Sequence, residues 1–142
     1  MKKIIGRVEK ISFPNWSIDQ LDAKVDTGAY TSSLHCHKIK VVSKGDDQYV
    51  HFSLFDPDHP SYKDRNLVSK LVKIRKVKSS NGVVQQRYTI KETALFCGKK
   101  RIIELTLTDR RVMKYDLLLG RKFLEHFLVD VSQKYLTSPS VT

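Results

Sequence analysis

The chain has 142 residues, of which 40% are hydrophobic, and it carries a formal net charge of +11. That length suits one domain with a core of its own, because a chain of this size needs no metal or disulfide to fold. The two cysteines, Cys36 and Cys97, exclude a disulfide framework and lack the CxxC spacing of zinc and redox motifs. We therefore expect both thiols to be buried or chemically idle.

The composition also bears on location and partners. The apolar run Ile4-Ile5 is too short for a signal peptide, which needs about 7–15 apolar residues, and no stretch approaches the roughly 20 that span a membrane. We expect a soluble cytoplasmic protein with no membrane partner. The positive charge should attract anions, but the basic residues are spread along the chain, as they are on solvated strand faces. Charge alone leaves nucleic acid, an acidic peptide and an anionic surface open.

Strands are predicted wherever β-branched and aromatic residues cluster between turn formers. The predicted strands cover residues 4–12, 21–25, 39–42, 49–55, 67–77, 83–90, 93–96, 101–107 and 117–119. Asn81-Gly82 favours a type I′ turn, so residues 67–90 predict a long hairpin with its tip near Ser80-Asn81-Gly82. Gly45-Asp46 and Gly98-Lys99 are the other predicted turns, and the prolines of residues 56–61 predict a surface loop.

One segment has helical spacing. In residues 120–127, Phe123 and Phe127 stand four apart, as do Leu124 and the following Leu128. The sequence therefore predicts a single all-β domain over residues 1–136, with one short helix near its carboxyl end. Residues 137–142 are expected to be a flexible tail.

Two motifs carry chemical information. A predicted strand leads into Asp26-Thr27-Gly28, where glycine permits a tight turn and the small Ala29 keeps the backbone approachable. An aspartate on such a turn can face a cleft, although many turn aspartates only stabilise their turn. The second motif is the apolar strand 117–119, which ends in Gly120-Arg121 and enters the predicted helix.

Together these motifs resemble the retropepsins, which combine a strand, an Asp-Thr-Gly turn, a flap hairpin, and two apolar residues followed by Gly, Arg and a short helix. The resemblance runs from about residue 4 to residue 136. It implies a closed, acid-protease β-barrel in which Asp26, Thr27 and Gly28 form the catalytic turn. It also implies contacts with substrate or support of the turn by Ala29, Tyr30, Leu118 and Gly120, and by Asn81 and Gly82 of the flap.

The surroundings of Asp26 are similar to a narrower bacterial family, labelled ATP-dependent zinc protease. The similarity rests on Ala23-Lys24-Val25-Asp26-Thr27-Gly28-Ala29 followed by Thr31-Ser32-Ser33-Leu34-His35. Members of that family are often encoded with, or fused to, an ATP-grasp ligase that adds glutamate, so the resemblance implies a functional link to such a ligase. The chain departs from the family at Tyr30, where Arg is more common, and the role of that Arg is open here.

The label of that family implies zinc and ATP, so the sequence is searched for metal ligands and for a nucleotide-binding loop. His35-Cys36-His37 is the candidate metal set, but side chains alternate along a strand, so at most two of the three converge without a distant third ligand. The chain also lacks the GxxxxGK[ST] loop that cradles nucleotide phosphates. We predict no metal and no cofactor.

Aspartic proteolysis needs two carboxylates across one water, and this chain has one Asp-Thr-Gly. The predicted function is therefore an aspartic endopeptidase formed by a homodimer, with residues 129–136 contributing to an intersubunit sheet. The positive charge and the ligase link suggest acidic or glutamate-modified peptide substrates.

Two other classes remain open. The first is a catalytically inactive retropepsin-fold module for binding or assembly, since fold does not establish function. The second is a nucleic-acid-binding β-barrel, which would interleave aromatics with cations, whereas residues 73–78 supply cations without an aromatic.

Overall fold

A computed structural model describes residues 2–54, 66–78, 81–109 and 114–137. The all-β prediction is confirmed, and the one α-helix of the described part is a single short turn. The elements are β1 (Lys3–Ile5), β2 (Val8–Phe13), a 3₁₀ turn (Pro14–Trp16), β3 (Ile18–Val25), β4 (Ser32–Lys44), β5 (Asp47–Leu54), β6 (Leu67–Lys70), β7 (Lys73–Lys78), β8 (Val84–Phe96), β9 (Lys99–Thr108), β10 (Leu117–Leu119), α1 (Arg121–Leu124) and β11 (Phe127–Val129). Among the described residues, no helix has the length and apolar character needed to cross a membrane.

Most strands belong to one sheet that closes on itself. Its order is β10-β3-β2-β8-β9-β4-β5-β6, and β10 also pairs with β4, so six strands form a ring. The ring is not a clean barrel, because β2 and β8 share only the pair Ser12↔Leu95, while β5, β6 and β7 branch away from it. Strand β10 closes the ring, because it pairs with β3 on one side and with β4 on the other.

Aromatic side chains form part of the hydrophobic core. Phe13 stacks on Trp16 with ring centroids 4.8 Å apart, and Phe52 meets Trp16 edge to face. Near α1, the buried Phe96 packs edge to face against Phe123 and Phe127, at 5.4 and 5.3 Å. These contacts fix α1 against the sheet, directly after β10.

The strand prediction needs correction at several boundaries. Residues 4–12 do not form one strand, because the chain leaves the β1–β11 pair at Gly6-Arg7, where the Arg7 N–H bonds to the Gln133 carbonyl. Residues 84–96 form one strand, β8, rather than the two predicted. Its turn is Cys97-Gly98, one residue earlier than predicted, and both residues have positive φ, as a two-residue hairpin turn requires.

The predicted hairpin over residues 67–90 is also shorter than expected. The predicted first arm, residues 67–77, is divided into β6 and β7. Strand β6 pairs with β5, whereas β7 pairs with β8 and forms the hairpin, which extends as far as the pair Lys78↔Val84. Asn81 and Gly82 are exposed near the tip, with φ at Gly82 of +86°. Ser80 and the predicted loop of residues 56–61 lie outside the described residues.

The helix prediction extends too far. Helix α1 ends at Leu124, and Phe127 begins β11, which runs parallel to β1 of the same chain with Lys3↔Phe127 in register. Phe123 and Phe127 do stack, but Leu128 is exposed, because β11 replaces the expected last helical turn. In the single chain the described residues 130–137 contain no strand, and their contribution to an intersubunit sheet stays a prediction.

Candidate active site

Asp26 stands at the end of β3, on a tight turn. Its N–H donates to the Leu119 carbonyl at 2.9 Å, which extends the β3–β10 ladder by one bond. The Ala29 N–H donates to the Asp26 carbonyl at 3.3 Å, and the Gly28 N–H donates to Asp26 Oδ1 at 3.0 Å. Asp26 is half-buried, while Thr27 and Gly28 are exposed. The turn therefore orients a carboxylate and leaves it open to solvent.

The residues after β10 hold the far side of this turn. The Arg121 N–H donates to the Ala29 carbonyl at 2.8 Å, and the Lys122 N–H donates to the Tyr30 carbonyl at 2.9 Å. Because these are the first residues of α1, their N–H groups have no partner within the helix and are available to the turn. Residues 26–30 are thus fixed by backbone bonds from both β10 and α1.

The Arg121 side chain adds two contacts to the same turn. Its Nη1 donates to the Thr27 carbonyl at 3.0 Å, and its guanidinium carbon lies 5.8 Å from the Tyr30 ring centroid, within cation–π range. Tyr30 is 57% exposed. The resemblance leads us to expect Arg at position 30. Here Tyr30 places an aromatic ring at that position, and the cation that contacts the ring is Arg121.

An ion pair anchors α1 to the sheet. Lys122 Nζ bonds to the Glu104 carboxylate of β9, and this hydrogen bond lowers the pKa of Glu104 and raises that of Lys122. Glu104 therefore contributes stability above its ordinary pKa, and this contribution is lost as pH falls through its lowered value in the folded state.

Gly120 lies where no side chain fits. A Cβ at this position would stand 2.7 Å from both the Tyr30 oxygen and the Thr31 carbonyl carbon, which are backbone atoms. Its N–H donates to Ser32 Oγ at 2.9 Å. The close approach is what brings α1 within hydrogen-bonding distance of the turn.

A basic groove of about 400 Å³ includes residues of β3 and β10, the two strands that lead to the turn and to Gly120. It is lined by Arg7, Val8, Lys24, Lys114, Tyr115, Leu118 and Lys134. No Asp or Glu occurs among these described lining residues. Sequence reasoning singled out Leu118 but missed the four cations.

Lys24 links this groove to Asp26. In β3 the side chains of Ala23 and Val25 are buried, so Lys24 points to the opposite, outer face. Asp26 follows two residues later, on the turn where β3 ends, and its N–H still bonds to the Leu119 carbonyl of β10. Leu118, the register partner of Lys24, lies outward between the buried Leu117 and Leu119. This alternation was readable from the sequence and could have identified Lys24.

The candidate metal set does not converge. His35, Cys36 and His37 are consecutive buried residues of β4, and burial raises the pKa of the Cys36 thiol. Within the described ranges, no three His, Cys, Asp or Glu side chains are grouped closely enough to hold a metal ion. The absence of a metal cofactor stays a prediction, as does the assignment of Asn81 and Gly82 to substrate.

A closed, all-β sheet whose Asp-Thr-Gly turn is supported by a Gly-Arg segment entering a short helix defines the retropepsin-like class. The chain belongs to the RimB-like family, described as retropepsin-like aspartic endopeptidase RimB, since a sequence model of that family matches residues 4–140. The resemblance inferred from the two motifs is thereby confirmed.

Similar proteins extend this assignment. The chain is 37% identical over 139 residues to a probable alpha-L-glutamate ligase of Shewanella halifaxensis, with 94% of the chain and 30% of that protein covered. It is 35% identical over 125 residues to a protein of the same name from Parasynechococcus marenigrum, with 85% of the chain and 26% of that protein covered. The chain thus spans less than a third of the length of these curated relatives.

A solved structure shares the fold along the whole chain. A Legionella pneumophila protein of unknown function (DUF785) superposes with a TM-score of 0.80 at 28% identity. The match covers 97% of this chain and 100% of that one.

The close approach at Gly120 is testable by mutation. Gly120→Ala should destabilise the protein by about 1–3 kcal/mol, because its methyl group must displace backbone atoms. Gly28→Ala is the matched control, since its Cβ would meet only the Asp26 carboxylate oxygen, at 3.2 Å. Urea unfolding of both variants measures the difference, and an equal cost at the two positions would contradict the packing argument.

Proposed function

We propose that this chain is one subunit of a homodimeric aspartic endopeptidase that hydrolyses amide bonds in acidic or glutamate-modified peptides. The observation that carries the proposal is the half-buried Asp26 carboxylate, fixed at the end of β3 by backbone bonds from β10 and from its own turn. The family description as an aspartic endopeptidase supports the same chemistry.

The mechanism follows from the number of carboxylates. In the dimer, the two Asp26 side chains share one proton, because like charges so close cannot both ionise cheaply. The ionised carboxylate takes a proton from water as the water oxygen attacks the scissile carbonyl carbon. The protonated carboxylate donates a hydrogen bond to the carbonyl oxygen, and the leaving amine receives a proton as the C–N bond breaks.

The surroundings of the turn fit that arrangement. Thr27 and Gly28 are exposed, which leaves the turn accessible to the same turn of a second copy. The bond from Arg121 to the Thr27 carbonyl fixes the backbone at this contact. The β7–β8 hairpin, with Asn81 and Gly82 near its tip, would serve as the flap that closes over substrate.

The basic groove supports an acidic substrate. Its cations Arg7, Lys24 and Lys134 would bind carboxylates, and Lys24 stands on β3 two residues before Asp26. The names of the curated relatives suggest a source for such substrates, because a ligase that adds glutamate produces acidic chains. We therefore propose a functional link between this peptidase and a glutamate ligase.

Replacing the carboxylate tests the hydrolase assignment. Asp26→Asn should abolish cleavage of a peptide library while leaving the circular dichroism spectrum unchanged, because Asn keeps the side-chain shape and can still accept the Gly28 N–H. Full activity in this variant would refute the proposed chemistry. If the wild type also fails to cleave peptides but binds them, the result would instead support a binding module.

An active site shared between two subunits predicts how activity changes when active and inactive subunits are mixed. When wild type and Asp26→Asn are mixed and allowed to exchange subunits at constant total concentration, activity should fall as the square of the wild-type fraction. The reason is that a mixed dimer has only one ionisable carboxylate. Sedimentation across a concentration series should show a dimer where activity appears. Activity proportional to the wild-type fraction would contradict a dyad.

Charge recognition is tested with matched peptides in which Glu is replaced by Gln. Lys24→Met keeps the aliphatic stem and should raise KM for the Glu peptide about two- to five-fold, as expected for one partly exposed charge pair. KM for the Gln peptide should not change. Lys44→Met is the control, because it removes the same charge from an exposed position outside the groove. Equal effects of both variants would indicate only the long-range field of the protein.

A further inference from the structure

Glu9 is a buried carboxylate that the proposed chemistry does not use. It lies on β2 with no exposed surface. Its Oε2 accepts the Gly6 N–H at 2.6 Å and the Leu136 N–H at 3.0 Å. Its Oε1 accepts the Thr137 N–H at 3.1 Å and the Thr137 hydroxyl at 2.7 Å. Among the described residues no Lys or Arg pairs with it, so these four donors replace water around the charge.

The donors join two distant parts of the chain. Gly6 connects β1 to β2, whereas Leu136 and Thr137 belong to residues 130–137, which we call the terminal segment. Two backbone bonds run alongside, from the Arg7 N–H to the Gln133 carbonyl at 2.8 Å and from the Tyr135 N–H to the Val8 carbonyl at 2.9 Å. The fit is tight, since a Cβ on Gly6 would stand 2.5 Å from the Gln133 carbonyl oxygen.

The terminal segment contributes one residue to the lining of the basic groove. Its Lys134 lines the groove beside Arg7, whose Nη1 donates to the Val131 carbonyl at 3.1 Å. The Arg7 carbonyl in turn accepts the N–H of Val25, the residue before Asp26, at 2.9 Å. A short path of hydrogen bonds thus leads from the terminal segment to the turn.

We propose that Glu9 is a positioning residue, whose buried carboxylate holds the terminal segment against β1 and β2 and so places Lys134 and Arg7 in the wall of the substrate groove. Glutamate is required because each of its oxygens accepts two donors. A glutamine would offer one such oxygen and direct its own N–H groups at the other two donors. The effect on catalysis rests on the proposed function, whereas the effect on the terminal segment does not.

Hydrogen exchange tests the structural part. In Glu9→Gln, exchange at the Leu136 and Thr137 amides should become at least about ten-fold faster, while β9 amides keep their protection. Thr137→Val is the second variant, should Glu9→Gln fail to fold. It removes one donor and should accelerate exchange at the same amides to a smaller degree. Unchanged exchange at both amides in these variants would overturn the role of Glu9.

Kinetics test the functional part. Glu9→Gln should raise KM for the Glu peptide about three-fold, with kcat and the KM of the Gln peptide nearly unchanged, because only the placement of groove cations is altered. Lys134→Met should raise the same KM without faster exchange, and its effect should shrink in the Glu9→Gln background. Additive effects, or equal losses on both peptides, would overturn the positioning role.

A failure of the proposed function can be told apart. If the wild type cleaves neither peptide, fluorescence anisotropy with the labelled Glu peptide replaces KM. Weaker binding to Glu9→Gln and Lys134→Met would then support the positioning role without catalysis. Equal binding to all three proteins would refute it.

Discussion

The site depends on one steric constraint, the contact between Gly120 and the backbone of residues 30–31. With no Cβ, Gly120 allows the chain after β10 to pass against the turn, so that the first N–H groups of α1 meet the carbonyls of Ala29 and Tyr30. The same passage places Arg121 against Thr27 and lets Lys122 reach Glu104 on β9. A larger residue would separate the turn from α1, and the turn would keep only its internal bonds and its bond to β10. The two motifs separated by about ninety residues therefore work as one structural unit.

Those two motifs are also the part of the site that could be predicted from sequence. Asp26-Thr27-Gly28 and the strand ending at Gly120 carry their geometry locally, through glycine and short apolar runs. The β-rich class was equally accessible, since β-branched residues cluster between turn formers. The helix was overextended because Phe123 and Phe127 stack across the turn at residues 125–126, which gives the same four-residue spacing as a helix. Local periodicity cannot distinguish the two arrangements.

The remaining features depend on contacts between distant segments. The β1–β11 pair joins residues more than one hundred positions apart, and three-residue strands are too short to leave a pattern. Glu9 reads as an ordinary exposed strand residue in sequence, because glutamate is rarely fully buried. Its burial becomes favourable only when the amides of Leu136 and Thr137 supply donors. Thr137, which the sequence assigns to the predicted flexible tail, makes two of the four bonds to this carboxylate.

The distribution of charge explains why a net positive chain need not bind nucleic acid. Several of its cations are already paired, as Lys10 is with Asp22 at 2.6 Å and Lys122 is with Glu104. In the basic groove, by contrast, Arg7, Lys24, Lys114 and Lys134 converge with no Asp or Glu among the described lining residues. Its one aromatic, Tyr115, has Lys114 Nζ 5.8 Å from its ring centroid, so the groove offers cations rather than a row of stacking platforms. Under the proposed function, these cations would bind a chain of carboxylates, and Lys24 would hold part of that chain two residues before Asp26.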